Sequence, residues 1–182
     1  MPRYILTGTP GSGKTAILRL LELNGHVVVE EAATDVIALE QALGHEEPWN
    51  DRSFLDKIVT LQRRRQVGTQ APETATIFFD RSPLCTLALS RYLGFAPSHL
   101  LAKEVDRVRG ESVYEATVFF IRHQGFIHAT AARQIGFEES LTFEQLHEQT
   151  YRDLGFQLAD VPPGPLTDRV ALVQQTVQRL RH

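Results

Sequence analysis

The sequence predicts a single three-layer α/β domain built on a doubly wound parallel sheet, and two observations and one general rule of topology indicate it. Short β-branched and aromatic runs alternate with longer segments of helical apolar spacing along the whole chain. Helical crossovers between parallel strands are almost always right-handed. In a doubly wound sheet this handedness places helices on both faces. The chain has 182 residues, which is enough for one such domain with a full core. We therefore expect one domain over residues 1–182.

The elements are assigned from apolar periodicity and from the glycines and prolines that interrupt it. Strands are expected at residues 4–6, 26–29, 74–79, 116–121 and 156–162. Helices are expected at residues 16–23, 32–43, 54–65, 83–93, 97–108 and 143–154, with a last helix capped by Thr167 or Asp168 and continuing to Leu180.

Composition and charge exclude several classes of protein. Hydrophobic residues make up 42% of the chain and charged residues 23%, which is typical of a globular domain and not of a disordered one. The 19 basic and 22 acidic residues give a formal charge of −3, so we expect no nucleic-acid partner. Because the sequence has neither a secretory signal pattern nor an apolar run of about 18 residues, we expect no membrane partner and a cytoplasmic location.

Residues 8–15 carry the most specific motif of the chain. They read GTPGSGKT, which fits the phosphate-binding pattern G-x-x-x-x-G-K-[ST] at every fixed position. A predicted strand precedes the motif and a predicted helix follows it, as the motif requires. The alternative, a glycine-rich turn before an ordinary helix, is disfavoured by that order.

The types of residue in this loop suit the binding of a nucleotide. Its glycines allow backbone N–H groups to converge on phosphate oxygens, and the helix adds the positive end of its dipole. Lys14 supplies a positive charge to the β- and γ-phosphates, and the Thr15 hydroxyl is placed to bind Mg²⁺. We predict ATP as the ligand, with GTP left open. The predicted nucleotide-binding residues of the loop are Gly8, Pro10, Gly11, Ser12, Gly13, Lys14 and Thr15.

An acid and an arginine follow the third predicted strand. Residues 74–79 form a β-branched and aromatic run that ends at Asp80, Arg81 and Ser82. An acid at the carboxyl end of such a strand can bind Mg²⁺ directly or through water, and the arginine can pair with a phosphate. Asp80 is therefore a predicted metal ligand and Arg81 a predicted catalytic residue, with an ordinary surface ion pair as the alternative.

Two glutamates follow the second predicted strand. Ligands of open α/β sheets bind outside the carboxyl ends of the strands, which makes Glu30 and Glu31 candidates for the site. Successive strand residues face opposite sides, so only one of the two is expected to point into the cleft. We predict that this residue is Glu31 and that Glu30 faces away or pairs locally. The alternative is that water solvates both side chains.

Cys85 and the arginine run at residues 63–65 have ordinary explanations. Cys85 lies in an apolar segment and is expected to be a small core residue and not a nucleophile. The three arginines come at the end of a predicted helix, where the helix dipole favours cations whatever the function. A surface for anionic lipid or an effector is the weaker alternative for them.

The loop at residues 8–15, Glu31 and the run Asp80-Arg81-Ser82 together resemble the P-loop kinase branch of NTPases. Within that branch the chain is similar to small AAA-type NTPase domains that group with nucleoside and nicotinamide riboside kinases, and the resemblance spans most of its length. It implies a five-stranded parallel sheet in the order 2-3-1-4-5, with nucleotide at the loop and an acceptor across the carboxyl edge of the sheet.

The resemblance also implies roles for particular residues. In deoxynucleoside kinases a glutamate after the second strand accepts the proton of the substrate hydroxyl, which assigns that role to Glu31. The acid-Arg-Ser motif serves metal and phosphate, which assigns these roles to Asp80 and Arg81. This sequence differs from those enzymes in having Asp instead of Glu before Arg81 and in having no proline after Glu31.

Two later segments acquire roles only from their place in the family order. Residues 124–142 resemble a lid, in which Arg133 would close over the transferring phosphoryl group; an exposed helical arginine is the alternative. The loop after the fifth strand abuts the adenine ring in P-loop kinases, which makes Pro163 and Gly164 predicted nucleotide contacts.

Two classes of function remain open on the sequence alone. The first is a kinase that transfers the γ-phosphoryl group of ATP to a hydroxyl of a small nucleoside-, vitamin- or antibiotic-like molecule. The second is a regulatory ATPase or GTPase whose nucleotide state switches a partner-binding surface. The chain is expected to act as a monomer or a homodimer.

Overall fold

The computed structural model describes residues 1–124 and 137–181 of the chain. The strands of this part are β1 Arg3–Gly8, β2 Val27–Val29, β3 Ile77–Asp80, β4 Thr117–Ile121 and β5 Gln157–Val161. They form one sheet in the order β2-β3-β1-β4-β5, and every neighbouring pair is parallel. The predicted fold class and strand order are therefore confirmed.

Helices connect the strands and cover both faces of the sheet. Within the described ranges they are α1 Lys14–Leu23, α2 Ala32–Ala42, α3 Ser53–Gly68, α4 Pro83–Tyr92, α5 His99–Gly110, α6 Phe137–Asp153 and α7 Leu166–Leu180, and a single 3₁₀ turn at Pro48–Asn50 precedes α3. Among the described residues, none of these helices is both long and apolar enough to cross a membrane.

Side chains of β1 alternate between the two halves of the core, as the pleat of a strand requires. Tyr4 and Leu6 belong to a buried cluster with α1 and α7. Ile5 belongs to the opposite cluster, which includes Leu84 of α4 and Tyr151 of α6. The central strand is thus buried on both faces, which is typical of parallel sheets.

The register of the sheet brings the loops after β1, β3 and β4 to one edge. Leu6 of β1 lies opposite Asp80, the last residue of β3, and Gly8 lies opposite Ile121, the last residue of β4. The phosphate-binding motif and the Asp80-Arg81 pair therefore emerge side by side.

Several predicted boundaries were wrong, for local reasons. The third strand begins at Ile77 and not at residue 74, because Ala75 closes a turn by donating its backbone N–H to Pro72 O. The helix α3 continues past the arginine run to Gly68. The last helix begins at Leu166 with Pro165 as its cap, so Thr167 and Asp168 lie inside it.

The helix α6 begins at Phe137, six residues earlier than the predicted start at residue 143. Its first turns therefore occupy the end of the segment predicted to be a lid, residues 124–142. Residues 125–136 lie outside the described part of the chain, so the lid stays a prediction.

Candidate active site

The loop between β1 and α1 depends on glycine at two fixed positions. Gly8 has a φ of +150°, and a Cβ on it would lie only 2.4 Å from the backbone oxygen of Ile121. Gly13 has a φ of +81°, a left-handed conformation that lets the chain turn directly into α1 at Lys14. A side chain at either position would change the shape of the loop.

Two hydroxyl groups of the loop are buried. Thr9 and Ser12 are 2% and 1% exposed. Within the described residues, neither Thr9 Oγ1 nor Ser12 Oγ has a hydrogen-bond partner. Buried polar groups are normally paired, so these two atoms suit a ligand that brings its own oxygens to the loop. Together with Lys14 and the N-terminus of α1, they fit the phosphates of a nucleotide.

Lys14 and Asp80 form a buried ion pair. Lys14 Nζ donates to Asp80 Oδ1, and the two side chains are 7% and 8% exposed. Burial raises the pKa of Asp80, and the charge of Lys14 opposes that shift. The pair places a carboxylate beside the predicted phosphate site, where Asp80 was expected.

A second ion pair joins the ends of β2 and β3. Arg81 Nε donates to Glu31 Oε1 at 2.5 Å. Burial alone would raise the pKa of Glu31, but the positive charges of Arg81 and Lys14 outweigh it and lower this pKa to about 2. Arg81 has a φ of +69°, uncommon for a residue with a side chain, and in this conformation its backbone N–H donates to Leu6 O at 3.0 Å.

Glu30 and Glu31 point in different directions. The Glu30 side chain is 56% exposed and pairs with Arg19 of α1. Glu31 also accepts a hydrogen bond from Thr34 Oγ1 at 2.8 Å, and its side chain is 23% exposed. Of the two glutamates, Glu31 lines the cleft at the loop.

That cleft has a volume of about 900 Å³ and runs from the phosphate-binding loop to α3, α4 and α6. Near the loop its walls are polar. Away from the loop it is lined mainly by apolar side chains, with an amide, a hydroxyl and an imidazole among them. The described residues of this second half include Ala33, Ile37, Ile58, Gln62, Thr86, Leu89, Phe143 and His147.

His147 is a residue of this cleft that the sequence did not indicate. It is 1% exposed, and its Nδ1 lies 2.9 Å from Phe143 O. Because a carbonyl can only accept, Nδ1 carries the proton of the neutral ring and Nε2 is an acceptor. Nε2 lies 3.4 Å from Arg81 Nη1. Burial and the charge of Arg81 lower the pKa of His147 to about 3, so the ring is neutral at neutral pH.

Arg169 of α7 is a second residue that the sequence did not indicate. It is 3% exposed, and its Nη1 donates to Ser12 O in the phosphate-binding loop at 2.7 Å. Its location could not be read from spacing, since 157 residues separate it from Ser12. In the sequence, an arginine in the first turn of an amphipathic helix cannot be distinguished from one that faces solvent.

The remaining predicted residues are placed as follows. Pro10, Gly11 and Thr15 line the cleft, and Gly164 reaches it from the loop after β5. Pro163 is exposed and is not part of the lining. Arg133 lies outside the described residues, so its role is untested.

A magnesium site made by protein side chains alone is not present in the described part. No group of three or more His, Cys, Asp or Glu residues there could hold a metal ion. Thr15 supplies one hydroxyl at the cleft and Asp80 one carboxylate beside Lys14. This donor set fits an ion that takes most of its ligands from phosphates and water, as Mg²⁺ commonly does.

Cys85 is buried, as expected. Its Sγ lies 3.0 Å from Tyr151 Oη and 3.3 Å from Thr7 Oγ1. Tyr151 Oη also lies 2.9 Å from Ser82 Oγ. These contacts join β1, α4 and α6 at the cleft, which Cys85 lines, and they link the thiol and the three hydroxyl groups around it.

Comparison with known proteins identifies the relatives of this fold. The model of a protein family described as AAA domain matches residues 3–169. A search of the curated proteins finds no significant match.

Among solved structures, deoxyadenosine kinase from M. mycoides, with dCMP and dCDP bound, is 15% identical with a TM-score of 0.68. That match covers 98% of this chain and 99% of the other. NadR protein in complex with NAD and AMP-PNP is 14% identical with a TM-score of 0.67, covering 96% of this chain and 49% of the other. At such identities the likeness shows the fold alone.

Proposed function

The chain belongs to the AAA domain family, whose model spans most of its length, and from that premise we propose that it is an ATP-dependent phosphotransferase. It would transfer the γ-phosphoryl group of ATP to a hydroxyl group of a small, uncharged molecule. The observation that carries this proposal is that Glu31 and Arg81 line the same cleft as the phosphate-binding loop. A carboxylate there is suited to a hydroxyl acceptor and is not needed for binding the nucleotide.

The loop would bind the nucleotide. Lys14, at the start of α1, would neutralise charge on the phosphates, and the unpaired hydroxyls of Thr9 and Ser12 would donate to phosphate oxygens. Thr15 and Asp80 would hold Mg²⁺, which supplies charge neutralisation to the phosphates when it is bound. On binding, Lys14 would exchange part of its contact with Asp80 for the phosphates.

The other half of the cleft would bind the acceptor. Its described walls are mostly apolar, and the cations near them are already in ion pairs, Arg81 with Glu31 and Lys14 with Asp80. This arrangement favours an acceptor with a flat or apolar body and disfavours one that brings its own phosphate. Nucleoside-like and vitamin-like alcohols have this chemistry. Deoxyadenosine kinase, one of the proteins that share the fold, is named for an acceptor of that class.

Glu31 would act as the general base. With its pKa lowered to about 2, the carboxylate is ionised at neutral pH and can accept the hydroxyl proton. A weak base is sufficient, because phosphoryl transfer depends mostly on positioning and charge stabilisation. Arg81, released in part from Glu31, would then stabilise charge on the transferring group.

The experiment is a panel of acceptors. The protein is incubated with ATP and Mg²⁺ and with nucleosides, hydroxylated vitamins, aminoglycoside-like alcohols or nucleoside monophosphates. ADP release is measured above the acceptor-free rate, and the phosphorylated acceptor is identified by mass spectrometry. We expect at least one uncharged alcohol to give ADP and phosphorylated product in equal amounts, and the monophosphates to give none. ADP release that no acceptor stimulates would instead support a regulatory NTPase.

A further inference from the structure

Arg169 joins the phosphate-binding loop to the end of β4. Besides donating to Ser12 O, it donates from Nη2 to Arg122 O at 3.1 Å, just after the last residue of β4. A Cβ placed on Gly13 would lie 3.0 Å from Arg169 Nη1, so the guanidinium packs directly beneath the loop. Arg169 is not among the described residues that line the cleft, so its contacts hold the loop through the backbone.

No acid in the described part of the chain balances the charge of Arg169. Among the described residues it has no acidic partner, and its Nε has no hydrogen-bond partner. Burial lowers the pKa of Arg169, which reflects the cost of keeping this cation away from water. Buried charges are normally paired, so this one is an exception that calls for an explanation.

The surroundings of Arg169 add further positive charge. The N-terminus of α1 begins at Lys14 and carries the positive end of the helix dipole. Lys14 is balanced by Asp80, but within the described part of the chain no acid interacts with Arg169. The loop therefore carries an excess of positive charge when no anion is present.

We propose that Arg169 is a positioning residue for the nucleotide. Its buried charge raises the affinity of the phosphate-binding loop for a polyphosphate and lowers the stability of the loop when no nucleotide is bound. It acts through the loop backbone and does not need to touch the phosphates. The inference rests on the proposed function only in requiring that the loop bind nucleotide, and it holds whether or not an acceptor is phosphorylated.

The test compares two substitutions at this position. Arg169→Gln keeps a donor for one carbonyl and removes the charge, whereas Arg169→Lys keeps the charge and replaces the two guanidinium donors by one ammonium group. Arg179→Met is the matched control, since Arg179 is an exposed residue of the same helix whose hydrogen bonds within the described residues go to Gln175 and Thr176. Affinities for AMP-PNP and AMP are measured by calorimetry, and thermal unfolding is measured without nucleotide.

We expect Arg169→Gln to weaken AMP-PNP binding at least about tenfold and AMP binding less, because the charge acts on every phosphate within its reach. Arg169→Lys should stay within about threefold of the parent protein, since it preserves the charge. Without nucleotide, Arg169→Gln should unfold at the same temperature as the parent or higher. Arg179→Met should match the parent in every measurement.

Two results would overturn the inference. One is a large loss of stability without nucleotide, or failure to fold, in Arg169→Gln, because that would make the arginine an ordinary part of the scaffold. The other is AMP-PNP affinity that is the same in Arg169→Gln and the parent. If the parent itself bound no nucleotide, the proposed function would fail, and that outcome is distinct from both.

Discussion

Arg81 Nε lies 2.5 Å from Glu31 Oε1, and this contact joins the end of the edge strand β2 to the end of β3. Each partner restrains the other next to the phosphate-binding loop. The ion pair keeps Glu31 ionised and directed into the cleft, while the nearby Glu30 pairs with Arg19 outside it. Four predictions follow from this arrangement and from the groups around it.

Lys14→Ala should abolish nucleotide binding and also destabilise the fold. It removes the phosphate-facing charge and leaves Asp80 buried without its partner, which costs up to about 3–5 kcal/mol. The double substitution Lys14→Ala with Asp80→Asn removes both charges and should recover most of the stability without recovering binding. Calorimetry with AMP-PNP and chemical unfolding measure the two effects. ATP binding retained by the stable double variant would refute the assignment of the loop.

Asp80→Asn should raise the Mg²⁺ concentration needed for half-maximal turnover. A neutral amide is a poorer ligand for a hard cation than a carboxylate, so turnover at limiting Mg²⁺ should fall by about a hundredfold. Thr15→Ala should shift the Mg²⁺ titration in the same direction. If the titrations of both variants overlay that of the parent, neither residue serves the metal.

His147 should make the fold sensitive to acid. Its pKa is about 3 in the folded state and about 6.5 when unfolded, so the unfolded state binds more protons between these values. Its contribution to stability is complete above pH 6.5 and declines by up to about 1.4 kcal/mol for each pH unit below it. We expect chemical unfolding of His147→Gln to depend less on pH between 6.5 and 4 than that of the parent. If the free energy of unfolding depends equally on pH in the variant and the parent, the pKa of His147 is not lowered by folding.

The parts of the site that follow fixed spacing were predictable from sequence. The residues that define the phosphate-binding loop are consecutive, at positions 8–15, so the motif can be recognised in the sequence. Because parallel strands bring their carboxyl ends to one edge of the sheet, Glu31, Asp80 and Arg81 could be predicted to lie near this loop. Their functional roles stay predictions. The strand order itself came from the family resemblance.

His147 and Arg169 could not be predicted in this way. Each sits on a helix where a polar residue would ordinarily face water, and each becomes buried only because its helix packs against the site. The arginine run at residues 63–65 likewise makes a tertiary contact that the sequence pattern did not reveal. Arg65 does not end the helix; it donates to the carbonyl oxygens of Glu30 and Glu31 and holds the turn that carries the proposed base.

The central claim is that Glu31 takes the proton of an acceptor hydroxyl, and Glu31→Gln tests it with Glu30→Gln as the matched control. The amide keeps an oxygen that can accept from Arg81 but cannot take a proton at neutral pH. Single-turnover transfer from ATP to an acceptor found in the panel is measured together with AMP-PNP affinity. We predict that Glu31→Gln slows transfer about 10²–10⁴-fold with nucleotide affinity near the parent value, while Glu30→Gln changes neither. Transfer at the parent rate in Glu31→Gln would contradict the account.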